Sequence, residues 1–180
     1  MTKIFGLVGI PLAVSVHGYT GFILAVSKGR ALWNTALMPS YFLISAMVSG
    51  IALMMLVVII QGKFFSAERK INIELARTLG QILAYTIILD LFLVFSDIVV
   101  LMTADEEARA AAELLLFGSF RTYFLGIEIF LGSLIPTALL LFPATGKRLV
   151  PITVAAFLAM VGVFAMRYVM VIGGQAVPLA

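Results

Sequence analysis

Five long apolar stretches constrain this chain more than any other feature of its sequence. The hydrocarbon core of a bilayer is about 30 Å thick, so a helix needs about 20 apolar residues to cross it. The stretches that meet this length are Ile4–Val26, Pro39–Gln61, Leu79–Met102, Leu114–Phe142 and Leu149–Ile172. None shows the alternation of apolar and polar residues that is typical of a membrane barrel. The sequence therefore predicts an all-α, polytopic transmembrane helix bundle of about five spans, forming one domain over residues 1–180.

The composition excludes the main classes of water-soluble protein. Of the 180 residues, 63% are hydrophobic and 12% are charged, whereas a soluble domain has about 45–50% and about 25%. Too few charged side chains remain to cover such a core with a polar surface. The net charge of +3 rests on few basic residues, most of them in loops. We therefore expect contact with the lipid bilayer and no nucleic-acid partner.

Lysine and arginine are distributed unequally between the two sides of the predicted bundle. With five spans, the N-terminus, residues 63–77 and the turn at residues 147–148 share one side. That side holds Lys3, Lys63, Arg69, Lys70, Arg77, Lys147 and Arg148, and the other side holds Lys28, Arg30 and Arg109. Because basic loops favour the cytoplasmic side, we expect a cytoplasmic N-terminus and an external C-terminus.

Ionisable residues inside the predicted spans are the main candidates for function, because an unpaired charge in lipid costs at least about 3 kcal/mol. They are His17, Asp90, Asp97, Arg121, Glu128 and Arg167. At 1.5 Å of rise per residue, three of them lie about 7–10 Å below the external end: Asp97, Arg121 and Arg167. Asp90 and Glu128 lie near the middle of the bilayer, and His17 lies between these two levels. This layering predicts a polar cavity that opens outward, with a proton path behind it.

Structural roles stay open for several of these residues. Asp97 and Arg121 can form an ion pair that only locks two helices, and Arg167 can extend along its helix to the membrane surface. His17 can be a hydrogen-bonded core residue. Asp90 and Glu128 are harder to explain in this way, because no cation is predicted at their depth and a protonated carboxyl group also suits a proton relay.

The residues that hold tightly bound redox groups are nearly absent. One histidine cannot supply both axial ligands of a membrane haem, and a chain without cysteine holds neither an all-cysteine iron–sulfur cluster nor a thiolate zinc site. We therefore expect no haem, no iron–sulfur cluster and no metal site in this chain. Any redox molecule that it binds would be diffusible, such as a quinone. Tyr19 and Trp33 lie near the external ends of spans, which is typical of an aromatic belt.

Short motifs in order along the chain are similar to one family. The first half carries Ser15–Phe22 (SVHGYTGF), Leu32–Asn34 (LWN), Met38–Phe42 (MPSYF) and Ser45–Gly50 (SAMVSG), and the last motif is Arg167–Gln175 (RYVMVIGGQ). These motifs resemble the NrfD/PsrC membrane subunits, the polysulfide-reductase-type proteins that interact with quinones. Within that family the ending most resembles the DsrP membrane subunit of the Dsr complex, which is associated with sulfite reduction.

The resemblance implies a membrane subunit of a respiratory oxidoreductase complex rather than a stand-alone enzyme. Such a subunit exchanges electrons between a membrane quinone, with menaquinone the first expectation, and an external iron–sulfur subunit of ferredoxin-like type. Other membrane and cytochrome subunits complete the complex. The resemblance further implies the cytoplasmic membrane of a prokaryote and a place in the metabolism of sulfur compounds.

The resemblance also implies roles for individual residues. His17 and Asp97 would exchange protons with the quinone, and Asp90 and Glu128 would extend the proton path. The residues expected in the vicinity of the quinone are His17, Tyr19, Trp33, Arg121 and Arg167.

Two further readings of the sequence stay open beside this one. A proton-coupled secondary transporter would use the same buried carboxylates, and a passive membrane anchor would use none of them. Members of the resembled family have about eight to ten spans. We therefore expect this chain to be a partial member that lacks the leading helices, in a larger bundle completed by further residues or another chain.

Overall fold

The fold is described by a computed structural model for residues 2–64, 73–142, 145–146 and 148–176. Within those ranges every regular element is a helix, and five helical segments are long and apolar enough to cross a membrane. These segments are Gly6–Ala25, Met38–Gly62, Ile73–Thr103, Thr122–Leu141 and Leu149–Ala176. The predicted all-α, polytopic architecture is confirmed. Three basic residues on which the predicted orientation partly depends, Arg69, Lys70 and Lys147, lie outside the described residues.

Two of the five spans contain π-helical segments. The first three spans are the α-helices α1 (Thr2–Ala25), α2 (Met38–Phe64) and α3 (Ile73–Thr103), and α3 is followed by the short helix α4 (Glu106–Leu116). The fourth span is the π-helix π1 (Thr122–Leu134) continued by α5 (Ile135–Leu141). The fifth span is α6 (Leu149–Tyr168), which continues into the π-helical segment π2 (Val169–Gly173) and the short helix α7 (Gly174–Ala176).

The fourth span begins at Thr122, whereas the sequence predicted a start at Leu114. The reason is that the apolar residues before Thr122 belong to α4, an amphipathic helix that buries Ala111, Ala112 and Leu115 against the bundle. The amide of Gly118 bonds the carbonyl of Glu113 and ends this helix. Leu114–Leu116 therefore cover one end of the bundle instead of extending the span through the membrane.

The bundle consists of α2, α3, the fourth span and α6, which pack against one another, while α1 packs against α2. Gly132 of π1 and Gly162 of α6 form the closest crossing. A β-carbon on Gly132 would overlap the α-carbon of Gly162, so the two backbones touch. Small residues permit such close packing of membrane helices.

The loop between α1 and α2 meets α4 and the end of the fifth span (π2 and α7) at one end of the bundle, which we call the Trp33 end. There the indole N–H of Trp33 donates a 2.7 Å hydrogen bond to the carbonyl oxygen of Met170. The guanidinium of Arg30 donates to the carbonyl oxygens of Gly174 and Gln175, at 3.3 and 3.0 Å. The three segments that the sequence placed on one side are therefore held together.

Candidate functional site

A buried phenol and a buried carboxyl group meet between α2 and π1. The hydroxyl of Tyr41 donates to Oε1 of Glu128 at a distance of 2.5 Å, and the two residues are only 2% and 4% exposed. Glu128 lies within π1, where the Ser133 hydroxyl donates to its backbone carbonyl oxygen at 3.0 Å. π-Helical segments occur frequently at functional sites. Here the π-helix carries the deepest carboxyl group of the fourth span.

Asp90 of α3 lines a small cavity together with Glu128, and the hydroxyl-bearing residues Ser45 and Ser133 line it as well. The cavity has a volume of about 10 Å³, close to the smallest space that can hold one water molecule. Oδ1 of Asp90 and Oε2 of Glu128 are buried and have no hydrogen-bond partner among the described residues. The two mid-membrane carboxyl groups predicted from the sequence therefore line the same small cavity.

Arg167 of α6 is half-buried and directs its guanidinium towards α2. Its Nη2 atom donates to the hydroxyl of Ser45 at 3.2 Å and faces the carbonyl oxygen of Phe42 at 3.5 Å. Its guanidinium carbon lies 4.2 Å from the centre of the Phe42 ring, a cation–π distance. Because Ser45 also lines the cavity of Asp90, the guanidinium of Arg167 lies next to this cavity without forming part of its lining.

Asp97 is bound by a residue that the sequence did not indicate. The hydroxyl of Thr35 donates to Oδ1 of Asp97 at 2.8 Å and accepts from the backbone amide of Leu37 at 3.0 Å. Thr35 and Asp97 are both buried. The residues that precede α2 are thereby tied to the C-terminal part of α3.

Arg121 is not brought to Asp97. It is exposed at the start of π1, where it lines a surface groove with Leu125 and Phe130. Its side chain forms no hydrogen bond or ion pair with the described part of the chain. The expected outer layer of Asp97, Arg121 and Arg167 is therefore divided among three environments, because the fourth span begins later than predicted.

His17 and Tyr19 lie on α1, away from the buried carboxyl groups. His17 is half-buried, and its Nδ1 atom lies 2.9 Å from the carbonyl oxygen of Ala13. Because a carbonyl oxygen only accepts hydrogen bonds, Nδ1 carries the hydrogen and Nε2 remains available to another group. Tyr19 lines a groove of about 490 Å³ between α1 and α2, together with Phe22 and Pro39.

Sequence reasoning missed Thr35, Tyr41 and Ser45 as members of the site. Each is a polar side chain close to or inside an apolar span, which is the signal that could have identified it. Tyr41 lies only three positions after the start of α2, and a tyrosine at such a position is typical of an interfacial aromatic residue. The structure instead buries its hydroxyl against Glu128.

Comparison with known proteins gives a consistent set of relatives. Residues 1–179 match the family described as "Polysulphide reductase, NrfD". The chain is 33% identical over 177 residues to a selenate reductase subunit of Mesobacillus selenatarsenatis, covering 98% of this chain and 40% of that protein. It is 31% identical over 169 residues to the Hdr-like menaquinol oxidoreductase integral membrane subunit of Archaeoglobus fulgidus, covering 92% of this chain and 42% of that protein.

A third relative is a putative dimethyl sulfoxide reductase membrane subunit of Halobacterium salinarum. The identity is 31% over 162 residues, which is 85% of this chain and 35% of that protein. The chain thus spans less than half the length of each of these three relatives. The match over nearly all of its residues nevertheless shows that the chain belongs to the NrfD family of polysulphide reductase membrane proteins.

Proposed function

We propose that this chain is a quinone-interacting membrane subunit of a respiratory oxidoreductase complex, exchanging electrons between a membrane quinone and an iron–sulfur partner. The observation that carries the proposal is the buried cluster of Tyr41, Glu128 and Asp90 inside the bundle. Protonatable groups are expensive in the membrane interior and mark proton or substrate pathways there. A passive anchor would have no use for them.

Quinone chemistry explains why protonatable groups are needed. Oxidation of a quinol releases two protons with its two electrons, and reduction of a quinone takes up the same number. In our proposal His17 and Asp97 exchange these protons with the quinone, His17 through its available Nε2 atom. Glu128 and Asp90 extend the path into the bundle.

The place of the quinone in our proposal is beside α1. The groove that contains Tyr19 opens between α1 and α2, and its volume of about 490 Å³ lies within the usual range of small-molecule sites. Its lining is mostly apolar, which suits a lipid-soluble ring. Trp33 bonds the backbone of π2 and Arg167 bonds the backbone of α2. Arg121 lies at the start of π1, next to the surface that a partner protein would meet.

The identities of the quinone and the partners are part of the same proposal. One relative is named a menaquinol oxidoreductase subunit, which supports menaquinone. We place the iron–sulfur, ferredoxin-like partner at the Trp33 end, together with cytochrome and further membrane subunits. The ending of the chain supports a DsrP-like role in sulfur metabolism.

The proposed location is the cytoplasmic membrane of a prokaryote, with the N-terminus cytoplasmic and the Trp33 end external. The unequal distribution of lysine and arginine supports this orientation. Electrons would then pass between quinone and partner on the external side.

Quinol-driven reduction of the iron–sulfur partner in the purified complex tests the proposal. His17→Ala and Asp97→Asn should each slow this reaction about 100-fold, the usual contribution of an acid–base group. Thr20→Val and Ser96→Ala are matched controls, because both hydroxyls bond only the backbone of their own helix. These controls should keep the wild-type rate.

The outcome separates the proposal from the two other readings of the sequence. Wild-type rates in both His17→Ala and Asp97→Asn would show that the assigned residues are wrong and would favour an anchor. Proton uptake into vesicles without any quinone would favour a transporter.

A further inference from the structure

The cavity of Asp90 and Glu128 combines features that indicate a bound ion. Its lining contains four residues with side-chain oxygen atoms, Ser45, Asp90, Glu128 and Ser133, and is otherwise formed by apolar residues and glycine. Asp90 and Glu128 are only 9% and 4% exposed. Each presents one carboxyl oxygen without a hydrogen-bond partner in the described protein. Two buried, unpartnered oxygens on residues that line one cavity form a site for a positively charged ligand.

The charges around this cavity do not balance. Asp90 and Glu128 contribute two negative charges when both are ionised, and Arg167, whose guanidinium donates to the lining residue Ser45, contributes one positive charge. Within residues 2–64, 73–142, 145–146 and 148–176, no lysine or histidine lines the cavity. Tyr41 donates a hydrogen bond to Oε1 of Glu128 but carries no charge that could compensate. One negative charge is left over, and an uncompensated charge is strongly unfavourable in such a medium.

The size of the cavity limits what can supply the missing positive charge. About 10 Å³ accommodates a species no larger than one water molecule. Carboxylate and hydroxyl oxygens are ligands for hard cations. We propose that Asp90 and Glu128 jointly hold one monovalent cation, either a proton bound to one of the two carboxyl groups or a sodium ion. Because Arg167 balances one of the two carboxylates, one further cation is enough to balance the other.

The proposal goes beyond the quinone reaction, although a proton held at this site would lie on the proposed proton path. It concerns the resting protein and is tested without electron transfer. A complex that fails in quinol oxidation can therefore still hold the cation, and the failure of one proposal is distinguishable from the failure of the other.

Infrared spectroscopy of the purified complex tests whether the bound cation is a proton. The C=O stretching band of a protonated carboxyl group is compared between wild type and variants. Wild type should show one such band from this site. Asp90→Asn and Glu128→Gln should each abolish it, because either change leaves one carboxylate balanced by Arg167. Arg167→Met should double the band, because both carboxyl groups must then be protonated.

Glu113→Gln is the matched control for the loss of a carboxyl group, because Glu113 is exposed on α4. It should leave the band unchanged. Asp90→Asn and Glu128→Gln keep the length of the side chain that they replace. These two variants decide the test even if Arg167→Met does not fold.

Replacement of sodium chloride by choline chloride at constant ionic strength tests whether the bound cation is a sodium ion. If sodium is bound, the wild-type band is absent in sodium chloride, and sodium raises the Tm of the wild type but not that of Asp90→Asn. Two results would overturn the proposal. One is a band that persists in either single variant, which shows independent protonation of the two groups. The other is a wild type with neither the band nor a sodium effect.

Discussion

The hydroxyl of Tyr41 donates a 2.5 Å hydrogen bond to Oε1 of Glu128, which joins the first turn of α2 to the middle of π1 inside the bundle. Glu128 therefore has one oxygen bound by Tyr41 and one buried oxygen without a partner among the described residues, and it lines a cavity together with Asp90. The tyrosine orients the carboxyl group on which both proposals depend.

Tyr41→Phe should destabilise the protein by about 1–3 kcal/mol, because it leaves a buried carboxyl oxygen without its donor. The free energy of unfolding in detergent measures this effect. Tyr85→Phe is the matched control, since Tyr85 is an exposed residue of α3, and it should change the free energy of unfolding by less than about 0.5 kcal/mol. Equal values for the two variants would show that the hydrogen bond contributes nothing.

Gly132→Ala should force π1 and α6 apart, because the new β-carbon would overlap the α-carbon of Gly162. Overpacking of this kind costs about 1–3 kcal/mol. Gly126→Ala is a control on the same helix, since the nearest atom to its β-carbon is a Thr122 methyl group at 3.9 Å. Thermal unfolding should show a lower Tm for the first variant and an unchanged or higher Tm for the second.

Thr35→Val should free Asp97 from its hydrogen bond and leave the Leu37 amide without its acceptor. We expect a loss of about 1–3 kcal/mol in the free energy of unfolding and slower quinol-driven electron transfer. Thr35→Ser keeps the hydroxyl and should restore most of both quantities. A threonine that acts only through its methyl group would give the opposite order.

Arg121→Gln and Arg167→Gln should differ in their effect on stability. Arg121 is exposed at the start of π1, so its replacement should change the free energy of unfolding by less than about 0.5 kcal/mol. Arg167 bonds Ser45 and covers the Phe42 ring, so its replacement should cost about 1–3 kcal/mol. Denaturant unfolding of both variants measures the difference. A large loss in Arg121→Gln would indicate the ion pair with Asp97 that this structure does not contain.

The spans could be predicted because their determinants are local. Bilayer thickness sets the length of an apolar segment, and the absence of water in the membrane makes each segment satisfy its own backbone hydrogen bonds as a helix. The ionisable residues inside spans were equally visible, since their cost in lipid depends on residue type and depth. The placement of Asp90 and Glu128 at one depth came from this reasoning.

The start of the fourth span could not be predicted from local determinants. Leu114–Leu116 are as apolar as a membrane span, and nothing local distinguishes them from its first turn. They became part of α4 because that helix has a surface of the bundle to cover. This placement left Arg121 at the edge of the bundle and removed the expected partner of Asp97.

The sequence by itself determined an all-α membrane protein with five spans and buried carboxyl groups, because hydrophobicity and helix length act along the chain. Only the tertiary structure decided that Thr35 binds Asp97, that Tyr41 binds Glu128, and that Arg167 turns inward to Ser45. Each of these pairs depends on the rotation and depth of one helix relative to another. Those quantities are set by packing between helices, such as the contact of Gly132 with Gly162, and no single span encodes them.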